Sequence, residues 1–389
     1  MKPFAVILAA IALASGAVHA SNNISIQWGK PFDLGRGYYA RIHRLNDGRL
    51  MAGYALDGMV ARFYTRGTNG ARGAWSDRVV VARNFTVTND EEKVFVALAN
   101  AEFAQLETGR IIFACNLRPS KCRVDAHPFA IAISVSNDGG STWSPLKVVY
   151  KCPPSKDGLW RGSYEPFVLP GREGRAQIYF ADESPYEENR RRYQDISFIE
   201  TVDGGETWSK PRTACYTPKC RDGMPAVAEY AGWRFLSIEA NPSGTRLHPQ
   251  IVASRIAGNW KEPVLAPSPR RMEPLLEAPD WRKTYAGAPY IATTKNYMLL
   301  SWQEHSGKGD VDVNKPIARV AVVPKKEIKN GAISTMRCVS SPPMMTEDED
   351  RMMWPALCAI GNDSFLLVAE CNGHVMAFPG RIYCGRRNL

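Results

Sequence analysis

The sequence predicts an all-β fold, a six-bladed β-propeller of four-stranded antiparallel blades. The first observation is a repeated hairpin, in which an apolar strand, a short polar turn and a second apolar strand recur about every sixty residues. The second is the strand chemistry, since apolar residues flank turns rich in Asn, Asp, Gly and Thr. The third is the number of copies, because six hairpins, each completed by a further strand pair, can close into a ring without exposed sheet edges.

The six hairpins follow one another along the chain. They begin at Tyr39, Ala99, Tyr164, Met224, Gly287 and Trp354. Their turns are Asn46-Asp47-Gly48, Thr108-Gly109, Gly171-Arg172-Glu173-Gly174, Ala231-Gly232, Thr294-Lys295-Asn296 and Gly361-Asn362-Asp363. Residues of these types favour tight connections between strands. No linker rich in Pro, Gly or Ser interrupts the series, so we expect a single domain over 21–389.

The first twenty residues have the pattern of a secretory signal. Lys2 precedes an apolar run from Phe4 to about Ala14, and Val18-His19-Ala20 provides small residues before Ser21. We therefore expect the signal peptide 1–20 to be removed and the protein to be secreted or periplasmic. No later stretch is apolar enough for a transmembrane helix, so no transmembrane segment is predicted.

The positive charge does not indicate a nucleic-acid partner. The formal net charge is +10, but the basic residues are dispersed apart from Arg190-Arg191-Arg192 and Arg386-Arg387. An exported chain without a basic helix or a stacking module is not expected to bind nucleic acid. No motif for a metal or an organic cofactor is present, so none is expected, and we expect a monomer.

Nine cysteines in an exported chain predict disulfides. Proximity in the sequence suggests four pairs, which leave Cys152 outside the pairing. The pairs are Cys115 with Cys122, Cys215 with Cys220, Cys338 with Cys358, and Cys371 with Cys384.

A second repeated element lies between hairpins. Ser136-Asn137-Asp138-Gly139-Gly140-Ser141-Thr142-Trp143 is matched by Thr201-Val202-Asp203-Gly204-Gly205-Glu206-Thr207-Trp208. The Asp can accept local backbone N–H bonds, the Gly residues permit positive φ, and the Trp can pack beneath the turn. This element resembles the Asp-box, or bacterial neuraminidase repeat, of sialidases and related propellers. The resemblance implies that Asp138, Trp143, Asp203 and Trp208 are structural residues away from the central pocket.

Charged residues are expected to converge at one end of the propeller channel. The start of each inner strand and the end of its hairpin partner meet there, and these positions hold Arg41, Glu102, Glu165, Glu239, Glu304 and Glu370. Carboxylates near an enclosed channel lose solvation, so a set of five favours a functional pocket. For any one of them a salt-bridged structural role is the alternative. Tyr164, Trp302 and Trp354 lie nearby and could stack on sugars, although such residues are also common in cores.

Part of the first hairpin resembles sialidases. Arg41-Ile42 followed by Asn46-Asp47-Gly48 is similar to their opening Arg-Ile-Pro segment, with His43 in place of the proline. Sialidases bind a carboxylated sugar through three arginines. The resemblance implies that Arg41 is the first of them, and Arg319 could be the third.

Other parts of a sialidase are missing. Thr65 and Arg66 stand where the acid/base aspartate is expected, and Met224 and Glu239 stand where an activating glutamate and the second arginine are expected. No tyrosine occurs between Tyr297 and Tyr383, the region of the nucleophile. A glutamate facing the substrate carboxylate would repel it, which argues against a sialic acid substrate.

The middle hairpins instead resemble the exo-arabinanases of glycoside hydrolase family 93. The segments that carry the resemblance are Tyr164-Glu165-Pro166-Phe167, Asp222-Gly223-Met224-Pro225 with Ile238-Glu239, and Gly287-Ala288-Pro289-Tyr290 with Ser301-Trp302-Gln303. Members of that family are six-bladed propellers that release products from the end of 1,5-linked α-L-arabinan with retention. The resemblance implies that Glu165 and Glu239 are the catalytic pair, and it leaves open which is the nucleophile and which the acid/base.

The sequence thus predicts an exo-acting glycoside hydrolase with an oligo- or polysaccharide substrate. Glycoside hydrolysis needs two carboxyl groups, one to protonate the leaving oxygen and one to attack or to activate water. An exo-α-sialidase is one alternative, and a non-catalytic carbohydrate-binding propeller is another.

Overall fold

The computed structural model describes residues 23–65, 73–88, 93–120, 128–153, 161–186, 193–242, 246–275, 285–305, 315–333, 335–343 and 351–385. The chain forms six small antiparallel sheets arranged as a six-bladed β-propeller, which confirms the predicted fold class. The predicted signal peptide, 1–20, lies outside the described residues.

Strands are numbered along the chain, and the first two, β1 (Asn23–Trp28) and β2 (Phe32–Arg36), belong to the last blade. Blade one contains β3 (Tyr38–Arg44), β4 (Leu50–Ala55), β5 (Gly58–Thr65), β6 (Ala74–Trp75) and β7 (Val79–Arg83). Blade two contains β8 (Phe85–Thr88), β9 (Lys93–Gln105), β10 (Ile111–Pro119), β11 (Ala130–Ser136) and β12 (Lys147–Lys151). Blade three contains β13 (Ser163–Pro170), β14 (Ala176–Asp182), β15 (Asp195–Thr201) and β16 (Arg212–Tyr216), with β20 (Val264–Leu265) beside β16.

The second half of the chain repeats the pattern. Blade four contains β17 (Asp222–Tyr230), β18 (Trp233–Ala240), β19 (His248–Arg255) and β21 (Arg271–Met272). Blade five contains β22 (Ala286–Thr293), β23 (Tyr297–Glu304), β24 (Ile317–Pro324) and β25 (Arg337–Ser340). Blade six contains β26 (Met352–Ala359), β27 (Ser364–Cys371) and β28 (His374–Gly385), together with β1 and β2. Two 3₁₀ turns, Ile256–Gly258 and Lys325–Glu327, lie between strands.

Each predicted hairpin forms the two inner strands of one blade. The inner strands β3, β9, β13, β17, β22 and β26 each contact their two neighbours around the channel, and β26 contacts β3. Blades four and five have the predicted four strands, whereas the other sheets have a fifth short strand.

The N-terminal strand closes the ring. In blade six, β1 pairs antiparallel with β28, and Ile26 lies opposite Ile382. The outer position of this blade is therefore filled by residues from the start of the chain.

Apolar side chains fill the spaces between blades. Between blades one and two, Met51 and Phe63 belong to the same buried cluster as Phe103 and Phe113. The rings of Phe103 and Phe113 stack at 5.9 Å, and Trp143 meets Phe113 edge-on at 5.8 Å. Burial of a side chain of this size contributes about 1.5–3 kcal/mol, so the blades are stabilised chiefly by packing against each other.

One residue of every inner strand has left-handed backbone. The six residues are Tyr39, Asn100, Glu165, Met224, Ala288 and Trp354, with φ from +49° to +59°. At each of them the register with the second strand shifts, as in a β-bulge. We call these six residues the front ring and their end of the channel the front. A left-handed non-glycine residue costs about 1–2 kcal/mol, and six equivalent ones form a repeated feature of the fold.

The two Asp-containing turns adopt the same structure. Asp138 accepts hydrogen bonds from the backbone N–H (2.9 Å) and hydroxyl (2.6 Å) of Thr142, and the indole of Trp143 donates to the carbonyl of Gly140. Asp203, Thr207 and Trp208 repeat these contacts. Both turns join the third and fourth strands of a blade, at the end opposite the front ring. The hydrogen bonds from the hydroxyl and N–H of Thr142 lower the pKa of Asp138 to about 2.

The structure does not show the predicted disulfide pairs. Among the described residues, Cys115, Cys215, Cys220, Cys358 and Cys384 are free thiols, and each predicted pair contains at least one of them. Cys122 and the side chain of Cys338 lie outside the described residues.

Packing explains why the nearest cysteines do not join. Cys215 on β16 is fully buried in the main hydrophobic core. Cys220 is the last residue of a turn, and its backbone N–H donates to the carbonyl of Thr217. Burial raises the pKa of Cys115 and Cys358 to about 12, so these two thiols are unreactive core residues.

Over the part of the chain that the structure describes, no helix has the length and apolar character needed to span a bilayer.

Candidate active site

Glu165 and Glu239 come from adjacent blades and lie at the front of the channel. Glu165 is the front-ring residue of β13, and Glu239 stands near the end of β18, opposite Gly223 of β17. Their exposed fractions are 9% and 3%. Both carboxylates are therefore largely removed from water.

Each of the two glutamates is oriented by the front-ring residue of the next blade. The backbone N–H of Met224 donates to Oε2 of Glu165, and the N–H of Ala288 donates to Oε2 of Glu239, both at 2.9 Å. Gln303 makes the corresponding contact to the N–H of Trp354 at 2.6 Å. Because the bulge turns these N–H groups out of the strand ladder, they are available to side chains.

Arg221 joins the two carboxylates. Its Nη2 donates to Oε1 of Glu239 at 2.9 Å and lies 4.0 Å from Oε1 of Glu165. The two oxygens are therefore no more than about 7 Å apart, the sum of these distances. Burial alone would lower the pKa of Arg221, but the charges of Glu239 and Glu165 outweigh it and raise that pKa.

Glu165 retains a proton more strongly than an exposed carboxyl does. Burial, and next the charge of Glu239, raise the pKa of Glu165, although Arg221 and Arg118 act in the opposite direction. A neighbouring negative charge in a poorly solvated site disfavours ionisation of Glu165. Glu165 is therefore easier to protonate than an exposed glutamate.

Small residues allow the backbone to approach Glu239. A Cβ at Gly287 would lie 3.0 Å from Oε2 of Glu239 and 2.7 Å from the hydroxyl of Tyr285. Tyr285 in turn accepts a hydrogen bond from Gln303 at 2.9 Å, and burial raises its pKa. These contacts fix Glu239 within a dense polar group.

On the other side, Arg118 and Tyr164 lie beside Glu165. The guanidinium of Arg118 stands 5.4 Å above the ring of Tyr164 and donates to the side-chain oxygen of Asn100 at 2.7 Å. Tyr164 also contacts Phe129 at 5.4 Å. A cation and an aromatic ring thus flank this carboxylate.

The front ring also closes the channel on its axis. Tyr39, Met224 and Ala288 form a buried apolar cluster, against which Trp354 packs half-buried. The rings of Tyr39 and Trp354 lie 5.9 Å apart. This cluster provides an apolar floor beside the two glutamates.

Arg41 and Glu102 form a second group behind that floor. The guanidinium of Arg41 stacks on the Tyr39 ring at 4.0 Å, and its Nε lies 3.4 Å from Glu102. Glu102 also contacts His43 at 2.7 Å and accepts a hydrogen bond from Tyr290 at 3.3 Å. The structure therefore divides the predicted set, with Glu165 and Glu239 in front of Tyr39 and Arg41 and Glu102 behind it.

The remaining predicted residues occupy blades five and six. Trp302 is 1% exposed within the main core, and its indole donates to Glu304. Glu304 pairs with Arg319 at 2.7 Å, and Glu370 with Arg351 at 3.0 Å. None of these residues contacts Glu165 or Glu239 in the hydrogen bonds and ion pairs of the described chain. In contrast, Tyr164 directly precedes Glu165 in the sequence, and Trp354 packs against the apolar floor.

Sequence analysis did not identify Arg221, Arg118 and Tyr285 as site residues. Arg221 directly precedes the Asp222-Gly223-Met224-Pro225 segment, which is a signal that could have indicated it. Arg118 and Tyr285 have no such motif, because strand pairing and loop position alone bring them to the site. Within the described residues no group of three or more His, Cys, Asp or Glu side chains could hold a metal ion.

Comparison with known proteins agrees with this architecture. No protein-family model and no curated protein matches the sequence. Among solved structures, a protein of unknown function from Dyadobacter fermentans has a TM-score of 0.62 at 14% identity, covering 92% of this chain and 100% of that one. An α-L-arabinanase of Penicillium chrysogenum complexed with arabinobiose has a TM-score of 0.60 at 16% identity, covering 91% and 98%. A Hadza microbial sialidase has a TM-score of 0.52 at 14% identity, covering 89% and 66%.

These likenesses define the class of fold. The protein is a six-bladed propeller whose fold is similar to those of an α-L-arabinanase, a GH93 α-L-arabinofuranosidase of Fusarium graminearum and a sialidase. At these identities the likeness concerns the fold alone.

Proposed function

We propose that the protein is a secreted, exo-acting glycoside hydrolase. Its substrate would be a plant-type polysaccharide such as 1,5-α-L-arabinan, cleaved with retention by Glu165 and Glu239. The observation that carries the proposal is the shared contact with Arg221, which brings two buried carboxylates from adjacent blades together. Substrate-binding roles are proposed for Tyr164 and Trp354, which lie beside the two glutamates. The same role for Arg41, Glu102, Trp302, Glu304 and Arg319 stays a prediction from the sequence.

The geometry fits the chemistry of retention. A retaining glycosidase has its carboxyl groups about 5–5.5 Å apart, so that one attacks the anomeric carbon while the other protonates the leaving oxygen. The upper bound set by Arg221 is compatible with that spacing. In the second step the same acid, now ionised, removes a proton from the water that hydrolyses the glycosyl intermediate.

The surroundings of the two carboxyl groups differ. Burial, and next the charge of Glu239, raise the pKa of Glu165. Arg221 donates a charge-assisted hydrogen bond to Glu239. We leave the assignment of nucleophile and acid/base to experiment.

The similarity to the arabinanase complexed with arabinobiose supports arabinan as the first substrate to test. The position of Arg41 supports the same choice over a sialoside. Its guanidinium stacks behind Tyr39 and faces Glu102, so it does not join Arg221 in front of the floor.

The test is hydrolysis of linear 1,5-α-L-arabino-oligosaccharides beside sialyllactose. The wild-type protein is expected to release short arabinose products with retained configuration, and Glu165→Gln and Glu239→Gln are each expected to lose at least about 10³-fold in kcat. Glu200→Gln is a matched control, because Glu200 pairs with Arg212 at the same 2.9 Å but lies on β15 next to a rear turn. Sialyllactose cleavage that survives Glu239→Gln would support a sialidase, and inactivity on both substrates would support a carbohydrate-binding protein.

Secretion is tested separately. When the full-length chain is expressed, the protein found outside the cytoplasm is expected to begin at Ser21. Mass spectrometry of the intact protein measures this. A protein that keeps residues 1–20 would contradict this part of the proposal.

A further inference from the structure

The inner strand of blade two is longer than its counterparts. β9 begins at Lys93, seven residues before its front-ring residue Asn100, whereas the other inner strands begin within two residues of theirs. The extension pairs with β8, so that Thr86 lies opposite Phe95 and Phe85 opposite Val96. A hairpin therefore rises in front of the ring at blade two, and at an advance of about 3.3 Å per residue β9 begins about 20 Å before Asn100.

The two faces of this hairpin differ. Val94, Val96 and Leu98 are buried, and the latter two belong to a cluster with Met59 and Val81 of blade one. Because side chains alternate along a strand, Phe95 points to the opposite face, away from blade one. It is 46% exposed.

The face that carries Phe95 leads to the glutamates. Arg118 lies opposite Ala97 and therefore shares this face, two positions closer to the front ring than Phe95. Arg118 contacts the ring of Tyr164, the residue directly before Glu165. Phe95 thus stands about 7 Å beyond Arg118. We call the surface formed by Phe95 and Arg118 the wall, and it continues from the candidate catalytic pair.

We propose that this wall binds the sugar units of the substrate that lie beyond the cleaved bond, with Phe95 stacking on a sugar ring and Arg118 donating hydrogen bonds to hydroxyl groups. The proposal rests on the proposed function and extends it, since the occupant is the rest of the same oligosaccharide. An exposed aromatic face matches the apolar face of a sugar ring, and a guanidinium presents several donors to hydroxyl oxygens. The protein should therefore prefer chains of several units to a disaccharide.

Calorimetric titration tests this preference without relying on hydrolysis. Arabinohexaose and arabinobiose are titrated into the Glu165→Gln protein, which binds without turnover. The hexaose is expected to bind about tenfold more tightly, and adding Phe95→Ala should reduce that advantage to about twofold while leaving arabinobiose affinity unchanged.

Phe85→Ala is the matched control, because Phe85 is 38% exposed on the other face of the same hairpin. Thermal unfolding confirms that each variant is folded. Equal affinity for the two sugars, no binding of either, or equal effects of Phe85→Ala and Phe95→Ala would overturn the proposal. If binding depends on Phe95 but the wild-type protein does not cleave arabinan, the proposed sugar-binding role of the wall is supported and the proposed hydrolase activity is rejected.

Discussion

Glu165 accepts a hydrogen bond from the backbone N–H of Met224, which belongs to the next blade and has left-handed φ. The same relationship joins Glu239 to Ala288 one blade further on. The bulges of the fold therefore orient both members of the candidate catalytic pair. Preorganised donors of this kind need no rearrangement when charge develops on a carboxyl.

Removal of Arg221 should change the pH dependence of activity. Its positive charge lowers the pKa of Glu165, so Arg221→Gln is expected to raise that pKa and to move the limb of the kcat/KM profile that reports Glu165 to higher pH. The value of kcat should fall about 10²-fold. Arg212→Gln, which removes the comparable partner of Glu200, should leave the profile in place. An unshifted profile for Arg221→Gln would show that this cation does not control the pair.

Asp195 should make the fold less stable as the pH rises. Burial raises the pKa of Asp195 to about 7 from 3.8, even though the hydroxyl of Tyr186, 2.5 Å away, favours its ionised form. The folded state thus prefers the protonated acid, and the stability this gives is complete below about pH 4 and lost as the pH rises through 7.

Asp195→Asn tests that dependence. The neutral amide still accepts from Tyr186, so the variant should gain about 2 kcal/mol over the wild type at pH 8 and almost nothing at pH 4. Urea unfolding at the two pH values measures the difference. A gain of equal size at both would mean that titration of Asp195 is not its origin.

A substitution of Ala231 in the turn between β17 and β18 should increase the stability of the protein. Ala231 and Gly232 have φ of +50° and +80°, between Tyr230 and Trp233, which pair with each other. A two-residue turn with positive φ at both positions favours Asn-Gly, so Ala231→Asn should stabilise the protein by about 0.5–1 kcal/mol. Ala231→Val should destabilise it, because a β-branched side chain is strained in this conformation. Thermal unfolding of the three proteins gives the order, and a Val variant as stable as the Asn variant would contradict the argument.

The Asp-containing turns should matter for stability but not for catalysis. Asp138→Ala and Asp203→Ala remove the acceptors of the Thr142 and Thr207 N–H and hydroxyl groups, so both should lower Tm. Because hydrogen bonding lowers the pKa of both aspartates, this loss of Tm should shrink only in strong acid. KM should not change, and a variant that loses activity while keeping its Tm would place these residues in the site instead.

The sequence predicts the six hairpins because their strand and turn residues are local signals. The meeting of Glu165 and Glu239 is also predictable, since both lie at the front ends of hairpins in adjacent blades. The place of Arg41 is not. The sequence places Arg41 with Glu165 at the front ends of the hairpins, but the left-handed residues show that Arg41 lies two positions beyond the front ring. Two positions on a strand are about 7 Å, enough to put Arg41 behind Tyr39.

Other residues escape sequence analysis for different reasons. Trp302 is a residue type that often stacks on sugars, yet the alternation of side chains along its strand places it in the core. The cysteines are close in sequence, but the path of the chain sends Cys215 into the core while Cys220 ends a turn. Such outcomes depend on which face of a strand a residue occupies.

The pairing of β1 with β28 has a consequence for synthesis of the protein. The outer position of blade six cannot be filled until both Ile26 and Ile382 have been made, and these lie near opposite ends of the chain. During translation the first segment must wait as an unpaired strand while five blades emerge. The residues of β28 are made after the strands of the other five blades, so a chain that stops before β28 would leave β1 and one edge of β27 unpaired and exposed to other molecules.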